Sequence, residues 1–174
     1  MVTVSPSGNT TAAVTYTPIA TNTLGSAAAS VTFSSIPGTY TDLVLVCVGR
    51  SSTGGPSGIR ITFNGDTGSN YSRTTLVGDG TNASSSRASS QAYIDTPFDG
   101  SASQTTPYFV FCNNYSNSTT YKTGLIRFSE PLNRVGATVG LWRSTAAITS
   151  IILTEASAST FAAGFTASLY GIGA

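Results

Sequence analysis

The apolar residues of this chain recur at every second position, in short runs broken by Gly, Pro, Asn and Ser. In IRITF, Ile59, Ile61 and Phe63 fall on one face of an extended chain, and Arg60 and Thr62 fall on the other. In FTASLYGI, Phe165, Ala167 and Leu169 share a face and Tyr170 takes the opposite one. A period of two fits strands and not an amphipathic helix, whose stripe repeats about every 3.6 residues. DLVLVCVG is apolar at every position from Leu43 to Val48, which predicts a central strand covered on both faces. Strands are expected over residues 30–36, 41–50, 58–64, 71–77, 91–96, 108–112, 121–128, 137–143, 149–154 and 165–172. Helix signals are few: GSAAAS is short, and EASASTFAAG has room for one turn without an apolar stripe. The chain therefore reads as all-β, a two-sheet antiparallel sandwich of jelly-roll-like type, because a four- or five-stranded barrel would leave strands over.

Residues 30–174 form the predicted sandwich, and residues 1–29 read as an extended N-terminal arm. The arm is too polar to be core, yet Val2, Val4, Val14, Tyr16 and Ile19 give it apolar points at intervals. Val2 with Val4, and Val14 with Tyr16, are candidates for short edge strands. These five residues are the candidate assembly contacts, laid against the chain's own domain or a neighbour. The Ser-rich stretches at residues 51–58, 83–91 and 98–108 are expected as exposed loops.

Only 9% of the residues are charged and the net charge is +1, against roughly 25% charged in an average globular protein. No basic patch addresses nucleic acid or an acidic membrane, so neither is an expected partner. A surface with so little charge repulsion is poorly protected against association, which favours a homo-oligomer, a trimer ahead of a dimer. The opening MVTVSPSGNT lacks the basic and apolar regions of a signal peptide. Asn9, Asn70, Asn82, Asn114 and Asn117 each open an N-x-[ST] triplet, and none is read as glycosylated without such a signal. Cys47 and Cys112 lie in apolar runs, where free thiols behave as small hydrophobes, and a bond between them would need neighbouring strands.

The chain has no histidine, which removes the commonest general base and metal ligand. Two distant cysteines do not make a zinc site, and no phosphate-binding glycine motif is present. A glycosidase would have Asp66, Asp79, Asp95, Asp99, Glu130 and Glu155 to draw on, but most of these sit in turn-like contexts. The stretch NGDTGSN, residues 64–70, has one carboxylate where a calcium loop wants several, and a strand-like segment follows where a phosphate cradle wants a helix. Asn64, Gly65, Asp66 and Gly68 are therefore predicted as a hairpin turn, with no metal, no cofactor and no catalytic residue.

YTDLVLVCVGRSS, IRITFNGDTGSNYS and VGLWRSTAAITSIILTEASASTFAAGFTASLYGIG together resemble a module of tailed-bacteriophage virion proteins. There an FNGD…Y segment follows an L-x-L strand, and the chain closes on an LYGI-like end. The resemblance spans residues 39–174 and implies a β-sandwich on the virion surface, assembled in the host cytoplasm. It implies a non-enzymatic capsid decoration (cement) protein bound to the major capsid protein. The alternative is a tail-fibre or receptor-binding module in which Tyr71, Tyr93, Tyr108, Tyr115 and Tyr121 stack on host glycans.

Overall fold

The computed structural model describes residues 2–4, 10–12, 15–53, 58–96, 103–131, 133–157 and 159–173. Its strands are β1 (Val2–Val4), β2 (Thr10–Ala12), β3 (Tyr16–Thr23), β4 (Ser30–Phe33), β5 (Asp42–Gly49), β6 (Ile59–Phe63) and β7 (Tyr71–Gly78). Then follow β8 (Ala83–Gln91), β9 (Ile94–Asp95), β10 (Thr106–Asn113), β11 (Lys122–Glu130), β12 (Arg134–Trp142), β13 (Ile151–Glu155) and β14 (Thr166–Ile172). An eight-stranded sheet, ordered β3-β14-β5-β10-β11-β12-β7-β8, packs on a four-stranded sheet, ordered β4-β13-β6-β9. β1 and β2 pair with each other. All these pairings are antiparallel, and the whole is a jelly-roll-like sandwich.

The core follows the alternation. Leu43, Leu45 and Cys47 of β5, with Val110 of β10, Ile126 and Phe128 of β11, and Leu169 of β14, point inward from the large sheet. They meet Val31, Phe33, Ile59, Ile61, Phe63, Ile151 and Leu153 from the small one. At Gly140 the two layers come too close for any side chain. A Cβ there would stand 2.4 Å from Cδ1 of the buried Ile94. We expect Gly140→Val to lower stability by about 1–3 kcal/mol through overpacking. Urea melts of the two proteins check this.

Four sequence expectations are corrected. Residues 83–91, expected as a loop, are strand β8, hydrogen-bonded along β7. Its side chains are almost all exposed, so composition reported the exposure and not the backbone pairing. The arm does not run on to residue 29, because Tyr16–Thr23 is the edge strand of the large sheet, paired with β14. Hydroxyl pairs Thr21–Ser168 (2.9 Å) and Thr23–Thr166 (3.0 Å) reinforce that pairing. From Tyr16 on, the segment thus lies along its own domain. β5 is central, but only its inner face is fully covered, and Val48 on its outer face is 41% exposed.

The fourth correction concerns the hairpin. Asn64 (φ 53°) and Gly65 (φ 67°) both take the left-handed backbone, and the Asp66 N–H donates to Phe63 O at 3.0 Å. That is the geometry of a type I′ turn. It does not close a hairpin, because β6 pairs with β13 and β9 while β7 pairs with β12 and β8. The turn is a corner at which the chain passes from the small sheet to the large one.

Candidate assembly surface

The corner at residues 64–70 is occupied by its own structure. Asn64 Oδ1 accepts from the N–H of Thr149 (2.8 Å) and Ser150 (3.1 Å), and Asn64 Nδ2 donates to Ala147 O (2.7 Å). The Asp66 carboxylate accepts from Trp142 Nε1 (2.6 Å), Asn70 Nδ2 (2.9 Å) and the Gly68 N–H (2.9 Å). Tyr71, fully buried, donates its hydroxyl to Asp66 O at 3.1 Å. The Tyr71 ring stacks on Trp142 at 6.2 Å, and Phe63 closes the cluster 5.6 Å from Trp142. Burial pushes the Tyr71 hydroxyl up to about 12. The predicted turn residues therefore form a latch between sheets, with the carboxylate consumed by it.

The Trp142 hydrogen bond, helped by Asn70 and Gly68, holds the Asp66 carboxyl below the usual carboxylate range. A carboxyl whose folded pKa is depressed adds stability above its unfolded pKa of about 3.9, and that stability is lost as pH falls through the folded pKa. Asp66→Asn should therefore lower the melting temperature at neutral pH and flatten its decline toward acid. Asp79, also depressed through backbone bonds from Asn82 and Thr81, leaves a residual slope in the variant. Melting curves across the acid range provide the check.

Three of the remaining candidate carboxylates are likewise engaged locally, while Glu130 ends β11 opposite Arg134. Asp79 Oδ1 caps the N–H groups of Thr81 (2.9 Å) and Asn82 (2.6 Å). Asp95 is ion-paired with Arg73. Glu155, 3% exposed, accepts from the N–H groups of Ser157 (2.8 Å) and Ser159 (3.1 Å). Asp99 lies outside the described residues. Among the described residues, no three His, Cys, Asp or Glu side chains gather as metal ligands.

Cys47 and Cys112 are both free and buried. In the β5–β10 register Cys47 stands opposite Tyr108 and Cys112 opposite Leu43, so the thiols do not face each other. Burial pushes both thiols upward, Cys112 to about 12, which leaves them unreactive.

Of the five tyrosines considered for stacking on sugars, Tyr71, Tyr108 and Tyr115 are buried. Tyr93 carries the Arg60 guanidinium 4.3 Å above its ring, and Tyr121 is 56% exposed. Of the arm contacts, Val2 and Val4 lie in β1, and Val14 lies outside the described residues. Tyr16 packs edge-on against Tyr170 at 6.3 Å, and Ile19 is packed against the core.

The feature that sequence reasoning missed is the outer face of the large sheet. Residues opposite the core-facing set point outward from β5, β10, β11, β12 and β7. They include Val46 and Val48, Phe109 and Phe111, Leu125 and Arg127, Val135, Ala137 and Val139, and Leu76. Leu76, Val135 and Val139 are each more than half exposed, and Val48, Phe109 and Leu125 are about 40% exposed. At one end the face sinks into an open groove of about 550 Å³, lined by Leu76, Pro107, Phe109, Arg127, Val135 and Ala137 among others. The signal was present in TPYFVFCN and RVGATVGLW, where apolar residues stand at both parities of the alternation. Contiguous apolar surface of this extent marks an interaction site more often than it occurs by chance on a free monomer.

No family model and no curated protein matches the chain. Among solved structures it is similar to a toad ovary galectin in complex with thio-digalactose, at 12% identity over 80% of this chain and 98% of that one, with TM-score 0.34. A galectin of Caenorhabditis elegans, LEC-6, aligns at 9% identity over 86% and 94% of the two chains, with TM-score 0.34. The alginate lyase Aly36B aligns at 10% identity over 86% and 78%, with TM-score 0.31. Likenesses this distant carry no argument about ligand or activity. Among the described residues no helix is long and apolar enough to cross a membrane, which says nothing of a β-barrel.

Proposed function

We propose that the protein is a non-enzymatic structural component of a tailed-bacteriophage virion, a decoration protein bound to the head shell. The observation that carries this reading is the exposed apolar outer face, a surface suited to permanent association. It is supported by the engagement of Asp66, Asp79, Asp95 and Glu155 in local bonds, and by the virion-like motifs of residues 39–174. The mechanism is mass action: a protein that binds assembled shell subunits, and not free ones, stabilises the shell by the free energy of its binding. The tail-tip reading loses ground because three of the five tyrosines it would use are buried. Purified protein added to heads that lack it should co-sediment to saturation and raise the temperature at which the shell opens. Binding to isolated tails alone would reject the decoration reading.

A further inference from the structure

We propose that the free edge of β8 accepts the N-terminal hairpin of a second copy, so that each copy gives its arm to a neighbour and receives one. Both halves of this contact are backbone edges that the chain does not satisfy by itself. Among the described residues, β1 and β2 pair with each other and with no strand of the sandwich. Three residue pairs join them, and a lone two-stranded hairpin is marginal in water until further strands are added.

Three of the four sandwich edges are guarded against strand addition. β9 is two residues long and β4 is four. β3 carries Pro18, which has no N–H to give, and its ladder with β14 is offset by a bulge at Leu169 and Tyr170. β8 lacks these devices. It runs for nine residues without a proline, carries Arg87 as its one charge, and pairs with β7 alone among the described strands. From Ala83 to Ala88 its ladder with β7 is unbroken. Every second residue there turns its N–H and C=O away from β7. The side chains are small and mostly exposed, so a strand laid beside β8 meets no bulk.

The donor must be another copy. β3 and β8 are opposite edges of the large sheet, seven strand spacings apart, about 34 Å at ~4.8 Å each. Residues 13–15 join β2 to β3, and a link of that length reaches at most about 14 Å. The hairpin is therefore tethered at the β3 edge, out of reach of its own β8. Contact between one edge and the opposite edge of the next copy is head-to-tail, and it closes as a ring whose smallest form is a reciprocal pair. Main-chain hydrogen bonds carry the contact, as in strand addition generally. Copies joined edge to edge leave the apolar outer face uncovered. The contact therefore does not compete with a head shell for that face and does not rest on the decoration reading.

Sedimentation equilibrium of full-length variants tests this. Thr3→Pro combined with Thr11→Pro removes the donor, since Thr3 and Thr11 are paired in the middle of the hairpin. Successive N–H groups of a strand point to opposite sides, so one of Ser85→Pro and Ser86→Pro blocks the free edge and spares the β7 ladder. A melting curve near that of the wild type identifies it. The wild-type chain should be oligomeric at about 100 μM, where a link with a Kd of about 10 μM is largely formed. Each variant alone should sediment at 17.8 kDa. Their equimolar mixture should give a species of two chains and nothing larger, because one donor and one acceptor are left between them. Should both edge variants unfold, hydrogen exchange decides. Alternate amides from Ala83 to Ala88 should exchange about 10-fold more slowly in the wild type than in the arm variant, the factor 1 + [L]/Kd at that concentration. A wild-type monomer, an oligomer that survives either variant, a mixture that stays monomeric, equal exchange in the two proteins, or an arm variant that unfolds would each overturn the proposal. Head binding is read separately. A monomeric arm variant that still saturates heads upholds both readings, and an oligomer that ignores heads rejects the decoration role alone.

Discussion

Trp142→Ala should bring the domain close to unfolding at room temperature. Trp142 is 2% exposed, sits between Tyr71 and Phe63, and donates to Asp66 across the two sheets. Truncating a buried Trp to Ala costs about 3–5 kcal/mol. The lost donor to a carboxylate adds about 1.5–3 kcal/mol. A domain of this size has a total stability of about 5–15 kcal/mol, so the variant retains little. Trp142→Phe separates the two contributions, since it keeps most of the ring packing and removes only the N–H. Its cost in urea melts should be far smaller. When it is combined with Asp66→Asn, the double variant should lose less than the sum of the two single losses, because Trp142→Phe removes the same bond that Asp66→Asn weakens by taking its charge.

Lys122→Ala should be the second most damaging single change. Lys122 is 2% exposed, pairs with Trp142 across β11 and β12, and forms no salt bridge among the described residues. Its Nζ donates to Thr120 O (2.7 Å) and Thr145 O (3.1 Å), tying together the loops that enter β11 and leave β12. Desolvation by burial holds its pKa below the usual lysine range. Alanine leaves a cavity and two carbonyls without this donor, a loss of about 3–5 kcal/mol. A methionine side chain would fill the space without a charge to desolvate, so Lys122→Met should cost much less than Lys122→Ala. Urea melts of the two variants provide the comparison. Equal destabilisation by both would show that the ammonium, and not the volume, holds the loops.

The contact behind the first prediction is one that no local pattern announces. Asp66 and Trp142 are distant in sequence and meet only because β7 and β12 are neighbours in the large sheet. The Asn-Gly signal marked a tight turn, and Asn64 and Gly65 do take the left-handed backbone, since that is a property of two residues. It did not specify which strands would pair, since β6 and β7 each find partners elsewhere in the chain. The core was legible where one face is apolar and the other polar, as in IRITF. β8 was not, because an edge strand with both faces exposed carries no apolar alternation for the sequence to display. Lys122 was partly legible: it has the same parity as Ile126 and Phe128 in KTGLIRF, which directs it inward. The apolar outer face was visible as strands apolar at both parities, but such strands read equally well as buried on both sides.

The apolar face and the virion-like motifs are proposed to serve assembly and not catalysis. Electron microscopy of tailed-phage virions labelled against this protein tests this most directly. Label distributed over the whole head is the result predicted. Label confined to the tail, or absent from virions altogether, would contradict it.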